Sequence, residues 1–369
     1  MNREIGLGMI RNLVQRLVAP IDPPLMLIAG LLVLLAIGVM GSASPERINA
    51  QLINVAVALV VMRVLAQIPP QRLMHLAVPV YIVGLLLLIA VALFGDVSKG
   101  ARRWLNLGFM RAQPSELMKI AVPLLLAWFF QQREAMPRLR DYAIAAVLLL
   151  LPVALIARQP DLGTAILVLA AGFYVIFFAG LSWKIMIGMA VAGIAAAPLA
   201  WSLLHDYQRN RIITLFDPEK DPLGKGFHII QSTIAIGSGG IFGKGWRAGT
   251  QAQLEFIPER HTDFIFAVFS EEFGLFGNLL LLILYALLIG RGLMIAANAA
   301  TLFSRLLAGA ITMIFFTYAF VNMGMVSGIL PVVGVPLPLV SYGGTALVTL
   351  FLGIGILMSI HGNRMLVQK

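Results

Sequence analysis

The sequence contains no cysteine and few charged residues for its length. Without cysteine, disulfide bonds, iron–sulfur clusters and thiolate zinc sites are excluded. Charged residues make up 12% of the 369 residues, about half the roughly 25% that is usual in soluble domains. Hydrophobic residues, by contrast, make up 60%. This composition excludes both a soluble globular enzyme and an intrinsically disordered chain.

Long apolar runs dominate the chain, and a helix needs roughly 20 such residues to cross a hydrocarbon core. The runs lack the two-residue alternation of a membrane β-barrel, so they indicate helices. We therefore predict an all-α polytopic membrane protein, with one integral membrane domain over residues 1–369. Its ten predicted spans are 24–43, 49–67, 75–95, 114–131, 142–158, 163–180, 184–204, 263–290, 303–327 and 339–360.

Residues 1–20 differ from these runs. Apolar residues recur on one face of a helix over 4–18, and Arg11 and Arg16 lie elsewhere on it. This pattern predicts an interfacial amphipathic helix that lies on the membrane. The N-terminus does not read as a signal peptide, because its first apolar run is long and nine more follow.

The net charge of +10 comes without the aromatic and basic pattern of a nucleic-acid module. Anionic lipids and anionic substrates are therefore the expected partners, and nucleic acid is not. An even number of spans puts both termini on one side, and we predict the cytoplasmic side. The Arg-rich short loop 132–141 then obeys the positive-inside rule. Cations on the outer side concentrate in 96–113 and 205–262, which we interpret as functional; an inverted topology is the alternative.

The segment 205–262 is the large predicted extracytoplasmic loop, between the seventh and eighth spans. Loops of this length are uncommon unless they are functional. It contains the glycine-rich run GSGGIFGKGWRAG at 237–249, which lacks the spacing of a P-loop. The run could form a nest of backbone N–H groups for an anion, with Lys244 and Arg247 nearby, or a flexible turn-rich loop.

The five histidines are scattered and show no metal-ligand spacing, so no metal site is predicted from them. Carboxylates would be the ligands if Mg²⁺ or Mn²⁺ accompanied a diphosphate. The sequence leaves this divalent cation open, and no other cofactor is implied.

Charged residues within a span usually face the interior of a bundle or a watery cavity, because lipid excludes them. Glu116 and Lys119 lie three residues apart in QPSELMK at 113–119, so they share a helix face and can pair. Two interpretations stay open for this pair, a structural ion pair and a substrate contact.

Asp263 is the strongest catalytic candidate. It follows Thr262, a residue suited to a helix N-cap, and opens the eighth span at the outer membrane boundary. The structural interpretation is a carboxylate stabilised by the helix dipole. The functional one is a general base acting on a lipid-linked anion, with Glu259 close by. In RQPDLGTA at 158–165, Arg158 and Asp161 admit the same two interpretations, capping and substrate contact.

Several runs together resemble the SEDS family (shape, elongation, division and sporulation), and its elongation branch in particular. The resemblance covers nearly the whole chain. The runs that carry it are KGARRWLNLG at 99–108, QPSELMK, RQPDLGTA, HDYQRNRI at 205–212, LEFIPERHTDFIFAVFSEEFG at 254–274, Asn322, Gly328, Pro331, Gly334 and PLPLVSYGGTA at 336–346.

The resemblance implies a peptidoglycan glycosyltransferase in the bacterial cytoplasmic (inner) membrane. Such a protein polymerises lipid II, an undecaprenyl-diphosphate-linked disaccharide pentapeptide, into β-1,4 glycan during cell elongation. It works with a class B penicillin-binding protein and the elongation machinery. Asp263 matches the family's essential aspartate and is the expected base. Positive side chains are expected to offset the diphosphate charge; those available are Arg102, Arg103, Arg111, Lys119, Arg158, Arg209 and Arg211.

Two other functions fit the same composition. A lipid II flippase also needs many spans, buried charges and an anionic lipid substrate. A non-catalytic scaffold of the cell-wall machinery would need no base at all. Cations concentrated on one face favour the enzyme, because a flippase needs polar groups along the depth of the membrane.

Overall fold

The structure, a computed structural model, describes residues 21–363 except 99–100, 107–110, 134–136, 205, 221–223, 255 and 258. The predicted interfacial helix at 1–20 lies outside the described residues. The side chains of Arg102 and Arg111 also lie outside them, although their backbone positions are described.

Helices make up most of the described chain, and each of the ten predicted spans coincides with one of them. In chain order the helices are α1 (Pro23–Ala43), α2 (Ile48–Ala66), α3 (Pro70–Phe94), α4 (Pro114–Gln131), α5 (Leu139–Ala157), α6 (Leu162–Phe178), α7 (Trp183–Leu203), α8 (Asp206–Phe216), α9 (Lys225–Ser238), α10 (Thr250–Gln253), α11 (Ile265–Ala297), α12 (Leu302–Val326) and α13 (Gly344–Gly362).

By length and composition, seven helices of the described part can cross a membrane. Two further apolar helices, α6 and the 183–199 part of α7, are shorter. The tenth, α4, carries Glu116 and Lys119 in its first two turns. The prediction of an all-α polytopic membrane protein is confirmed, and its orientation stays a prediction.

Three short strands lie in the segment between α3 and α4. β1 (Asp96–Ser98), β2 (Ala101–Asn106) and β3 (Arg111–Ala112) pair antiparallel in the order β1-β2-β3. They lie outside the helical bundle, where backbone groups need not be satisfied within one helix. The hairpin places Arg103 and Trp104 of β2 over the beginning of α4 and the candidate site described below.

The helices α4 and α12 form the centre of the bundle. Almost every residue of α4 is buried, including its two charged residues, and α12 is buried over most of its length. A helix that is apolar on all sides needs no solvent-facing stripe, so neighbours can surround it completely. In contrast, α7 is exposed along nearly its whole described length, as expected of a helix at the lipid-facing periphery.

Helix α11 is broken at Gly274, whose φ of 62° and ψ of −157° are not helical. In an uninterrupted helix, the N–H groups of Leu275 and Phe276 would donate to the carbonyls of Glu271 and Glu272. They donate instead to Gly240 O and Ile241 O of the glycine-rich run, at 2.9 and 3.1 Å. The freed carbonyls of Glu271 and Glu272 accept from the N–H groups of Lys244 and Gly245, respectively, both at 3.0 Å.

The carboxylates of Glu271 and Glu272 complete this junction. Lys244 Nζ donates to Glu271 Oε1 at 2.7 Å, and the N–H of Arg247 donates to Glu272 Oε1 at 3.1 Å. The loop N–H groups predicted as an anion nest therefore bind carbonyl and carboxylate groups of α11. The sequence offered two interpretations of the glycine-rich run, an anion nest and a flexible loop. The structure fits neither, because the run is hydrogen-bonded to α11.

Glycine is required where loop and helix backbones meet. An added Cβ at Gly239 or Gly243 would lie 2.1 Å from a carbonyl oxygen of α11, and one at Gly274 would lie 2.3 Å from the N of Gly243. No L-residue side chain fits at these distances, and Gly274 also has a positive φ. The glycines thus permit the hydrogen-bond exchange that breaks the helix.

We expect Gly274→Ala to destabilise the protein strongly. The positive φ alone costs of order 1–3 kcal/mol for a residue with a Cβ, and the backbone overlap adds to it. Gly290→Ala in the same helix is the matched control, because a Cβ there meets nothing within 4 Å. Thermal unfolding in detergent should show a midpoint several degrees lower for Gly274→Ala and an unchanged or slightly higher midpoint for Gly290→Ala, since alanine favours a helix interior over glycine. Equal midpoints would contradict the proposed role of the break.

Candidate functional site

The turn 259–264 carries Asp263 and leads into α11. The helix begins at Ile265 with Phe264 as its N-cap residue. The expectation that Thr262 caps this helix is wrong, because its hydroxyl donates to Glu259, 3.1 Å from Oε2 and 3.2 Å from the main-chain oxygen. Asp263 therefore precedes the helix, half-buried, in a tight turn in which Glu259 has a positive φ of 53°.

Four hydrogen bonds, donated by three residues, fix this turn to the segment that precedes α13. Asn322 of α12 donates through Nδ2 to Asp263 O at 2.8 Å and to Val335 O at 2.7 Å. Ser341 Oγ donates to Thr262 O at 2.6 Å, and the N–H of Tyr342 donates to His261 O at 2.8 Å. Asn322 is fully buried, so the turn is anchored by a group that water cannot reach.

The carboxylate of Asp263 lies against Gly334. A Cβ on Gly334 would be 3.3 Å from Asp263 Oδ2, and Gly334 has a positive φ of 77°. Glycine at this position gives the carboxylate room and allows the chain to turn. Beside it, burial and the nearby Arg47 lower the pKa of His261, so this ring adds no charge to the turn at neutral pH.

A polar cavity of about 520 Å³ opens next to this turn. Its walls come from α2, β2, the first turns of α4 and α6, and the segment that leads into α13. The lining residues are Asn54, Arg103, Trp104, Gln113, Glu116, Lys119, Asp161, Thr164, Leu167, Thr262, Gly334, Val335, Pro336, Tyr342, Gly343, Gly344, Thr345 and Ala346. Asp263 is not one of these residues, but its carboxylate lies against Gly334, which is.

Glu116 and Lys119 form a buried ion pair in the wall of the cavity. Lys119 Nζ lies 2.6 Å from Glu116 Oε1 and also donates to Tyr318 Oη of α12. Lys119 is 2% exposed and Glu116 is 8% exposed. Glu116 Oε2 has no hydrogen-bond partner among the described residues, although it is buried. The pair is therefore a structural link between α4 and α12 that also faces the cavity.

Arg103 and Asp161 form the second charged pair of the cavity. Arg103 Nη2 donates to Pro160 O at 2.7 Å, and its Nε lies 3.8 Å from Asp161 Oδ2. Asp161 is the N-cap of α6, accepting from the N–H of Thr164 at 3.3 Å, and it also accepts from Gln113 Nε2 at 3.1 Å. Asp161 therefore caps a helix, as one interpretation predicted, and also lines the cavity; the substrate contact stays a prediction.

Of the other charged candidates, those whose side chains the structure describes lie outside the cavity wall. Arg158 is exposed at the end of α5. Arg209 donates to the main-chain oxygens of Trp201 and Ser202 at the end of α7. Arg211 lies on α8, the helix that also carries Arg209. Glu259 accepts a hydrogen bond from Thr262 within the turn and does not line the cavity.

An apolar groove of about 560 Å³ adjoins the polar cavity. The two share Asn54, Gln113, Glu116, Gly344 and Thr345. Away from these residues the groove is lined by aliphatic side chains of α2, α4 and α13, among them Val57, Val61 and Leu352. Val57 is half exposed, so the groove connects the lipid-facing surface of the bundle to the charged cavity.

Among the described residues, no group of three or more His, Asp or Glu side chains could hold a metal ion. The two carboxylates of the cavity, Glu116 and Asp161, are each engaged with a cation. These residues therefore do not form a resident site for a divalent cation.

The comparisons with known proteins identify the family. The family model described as cell cycle protein, which covers FtsW, RodA and SpoVE, matches residues 15–365. Peptidoglycan glycosyltransferase MrdB of Escherichia coli strain K12 is 56% identical over 354 residues, which is 95% of each chain. The chain belongs to the FtsW/RodA/SpoVE family. The resemblance to the SEDS family seen in the sequence is thereby confirmed.

Solved structures of this family have the same fold. One similar chain belongs to a solved structure described as structural coordination of polymerization and crosslinking by a peptidoglycan synthase complex. The TM-score is 0.81 at 37% identity, covering 93% of this chain and 98% of that one. The crystal structure of the rod shape determining protein RodA from Thermus thermophilus matches with a TM-score of 0.71 at 32% identity, covering 93% and 97%.

Sequence reasoning missed three residues of this candidate site. Gln113 joins Asp161 to the first turn of α4, and Asn322 and Ser341 hold the Asp263 turn. All three occur in the runs that carry the family resemblance, but neutral polar side chains gave no electrostatic reason to single them out. A buried amide in an apolar span was the available signal, since it must find hydrogen-bond partners.

Proposed function

We propose that this protein polymerises lipid II with Asp263 as general base. The peptidoglycan glycosyltransferase class implied by the resemblance is confirmed by a curated relative of that name, 56% identical over 95% of both chains. One observation supports the substrate and site: the Asp263 carboxylate adjoins a charged cavity that continues into a lipid-facing apolar groove. A lipid-linked diphosphate sugar combines these same chemical features.

In the proposed reaction, Asp263 accepts the proton of the 4-hydroxyl of the acceptor sugar. The resulting oxygen nucleophile attacks the anomeric carbon of the donor, and the bond to the lipid diphosphate breaks. A single displacement converts an α-linked donor into a β-1,4 glycan, with inversion. To act as this base, Asp263 must start as the carboxylate. Positioned general bases contribute about 10²–10⁴-fold in rate.

The leaving diphosphate needs positive charge, and Arg103 is the side chain best placed to provide it. Lys119 also lines the cavity, but the Glu116 carboxylate already neutralises it at 2.6 Å. Arg103 is about one-third exposed, and 3.8 Å separates it from Asp161. A guanidinium presents several donors in a fixed fork, which suits phosphate oxygens. Arg103 is thus the expected diphosphate ligand.

We expect Arg103→Gln to raise the KM for lipid II by about 10–100-fold, because a hydrogen bond to a charged group is worth about 1.5–3 kcal/mol. Arg158→Gln is the matched control, since it removes the same charge from an exposed position outside the cavity. The measurement is initial polymerisation rate against lipid II concentration. Equal KM values for the two variants would remove Arg103 from diphosphate binding.

A lipid II flippase is the alternative function. The polar lining comes from the first two turns of α4 and α6 and the segment leading into α13, at one end of the bundle. A translocation path needs polar groups through the depth of the bundle, so this placement favours a one-sided enzyme. Purified protein in detergent, where translocation has no meaning, should convert lipid II into glycan strands. The assay is run with and without a partner protein, and with and without a chelator. Absence of product under all these conditions would favour the flippase. The comparison with chelator also tests whether a divalent cation is needed.

We propose a class B penicillin-binding protein as the partner that cross-links the new glycan, within the elongation machinery. The support is the similarity to a chain of a peptidoglycan synthase complex described as coordinating polymerization and crosslinking. An apolar groove of about 460 Å³ between α11 and α12 offers a surface at membrane depth for one partner helix. Co-purification of the two proteins in detergent tests this partner, and separate elution would contradict it.

The chain is a multi-pass membrane protein by its helices and its family. We further propose that residues 1–369 form a single domain in the bacterial cytoplasmic membrane, with both termini in the cytoplasm. The cavity and Asp263 then face the outer side, where nascent glycan is assembled. A reporter fused after Lys369 should be active in the cytoplasm; activity on the other side would reverse the orientation.

A further inference from the structure

The glycine-rich run at 239–249 lies alongside two membrane-spanning helices rather than beyond their ends. Trp246 Nε1 donates to Gly38 O of α1 at 2.9 Å, and Gly38 lies five residues before the end of that helix at Ala43. At 1.5 Å per residue this is roughly 7–8 Å below the end. The N–H of Gly245 bonds to Glu272 O, seven residues or roughly 10 Å into α11. Two independent helices thus place the loop at the same depth.

Non-helical backbone at membrane depth must have its polar groups satisfied by protein. The loop meets this condition through the exchange at Gly274, where the broken helix and the loop satisfy four of each other's main-chain groups. The additional N–H of Gly243 donates to Gly239 O at 2.8 Å. These hydrogen bonds satisfy part of the loop backbone within the protein.

The two charges of the loop are also satisfied within the protein. Lys244 pairs with Glu271 at 2.7 Å. The Arg247 guanidinium donates twice to Gly41 O, at 2.8 and 3.1 Å, and lies 4.8 Å from the ring of Trp246. Each cation therefore has a partner on α1 or α11, although both residues are exposed.

Besides its two cations, the loop exposes three large apolar side chains. Ile241 is 57% exposed, Phe242 is 79% exposed and Trp246 is 55% exposed. Phe242 stacks on Phe276 of α11 with 5.3 Å between ring centroids. Phe276 and Leu279 are themselves exposed, so the loop surface continues into the exposed apolar face of a membrane-spanning helix.

We propose that residues 239–249 form a re-entrant loop whose Ile241, Phe242 and Trp246 side chains contact lipid acyl chains. The leaflet is the one on the same side as Asp263. The partner is the hydrocarbon of the bilayer, because the loop lies alongside two membrane-spanning helices, pairs its two cations within the protein and exposes three large apolar side chains. If the loop lay in water, its three large apolar side chains would be solvated. A loop above the membrane could also bond its main-chain groups to water, and would not need hydrogen bonds to a broken helix. The proposal requires the membrane fold but not the proposed activity.

The absence of cysteine permits a direct test. Phe242→Cys gives a single thiol for a nitroxide spin label, and the purified protein is reconstituted into phosphatidylcholine vesicles. Leu279→Cys on the exposed face of α11 is the lipid reference, and Glu219→Cys, exposed in the 218–220 turn, is the water reference. Collision rates with oxygen, which concentrates in lipid, and with a water-soluble nickel chelate are measured for each label.

A label at 242 should behave like the one at 279, with frequent oxygen collisions and few nickel collisions. Nickel access like that at 219 would show a water-exposed loop and overturn the proposal. Low access to both reagents would show burial against protein, such as a second copy, and would also overturn it. A label at Ile241→Cys repeats the measurement if Phe242→Cys reduces the yield of folded protein. Because neither readout involves polymerisation, failure here leaves the proposed function untouched.

Discussion

Asp263→Asn should insert and fold normally but lose polymerisation of lipid II. Asparagine keeps the size of the side chain and the main-chain bond from Asn322, which goes to Asp263 O. It removes only the carboxylate that would accept the proton, so the rate should fall by about 10²–10⁴-fold. The measurement is the initial rate of glycan formation from lipid II by purified protein in detergent.

Asp96→Asn is the matched control for this variant. Asp96 is an exposed aspartate of β1, on the same side of the bundle as the candidate site but outside the cavity wall. It should retain normal turnover. The substrate KM of Asp263→Asn should change little, because a base acts in the transition state more than in binding. Near-normal turnover by Asp263→Asn would remove Asp263 from the mechanism.

Lys119→Met should destabilise the protein by about 3–5 kcal/mol, the usual cost of removing one partner of a buried ion pair. Methionine matches the length of lysine, so packing is largely kept. The loss comes from Glu116, whose carboxylate would remain buried without its cation, and from Tyr318, whose hydroxyl would lose its partner. Unfolding in detergent measures the effect.

The double variant Glu116→Gln with Lys119→Met separates the two interpretations of the pair. It leaves no uncompensated buried charge, so it should regain most of the stability lost in the single variant. If the pair is only structural, the double variant should also polymerise lipid II normally. A raised KM in a protein of restored stability would show that the pair contacts substrate. No recovery of stability would contradict the ion-pair explanation itself.

The positively charged residues of the predicted outer side show that counting charges in the sequence does not identify which of them line the cavity. Arg103, Arg158 and Arg209 look equivalent in the sequence, since each lies on the predicted outer side near a span. Only Arg103 lines the cavity, because the β hairpin folds over α4. Arg209 instead bonds to carbonyls at the end of α7. The pairing of strands and helices that makes this distinction is not encoded in local charge.

By itself, the sequence determined the membrane class, the ten spans and the family, and it singled out Asp263, Glu116, Lys119 and Asp161. These follow from local properties: hydropathy over about 20 residues decides whether a helix can cross a bilayer, and short motifs carry the family resemblance. Only the tertiary structure decided which distant residues contact each other. It placed Asn322 beneath the Asp263 turn and joined the glycine-rich run to the break at Gly274. Both depend on hydrogen bonds between residues far apart in the chain, whose partners are chosen by packing rather than by neighbouring sequence.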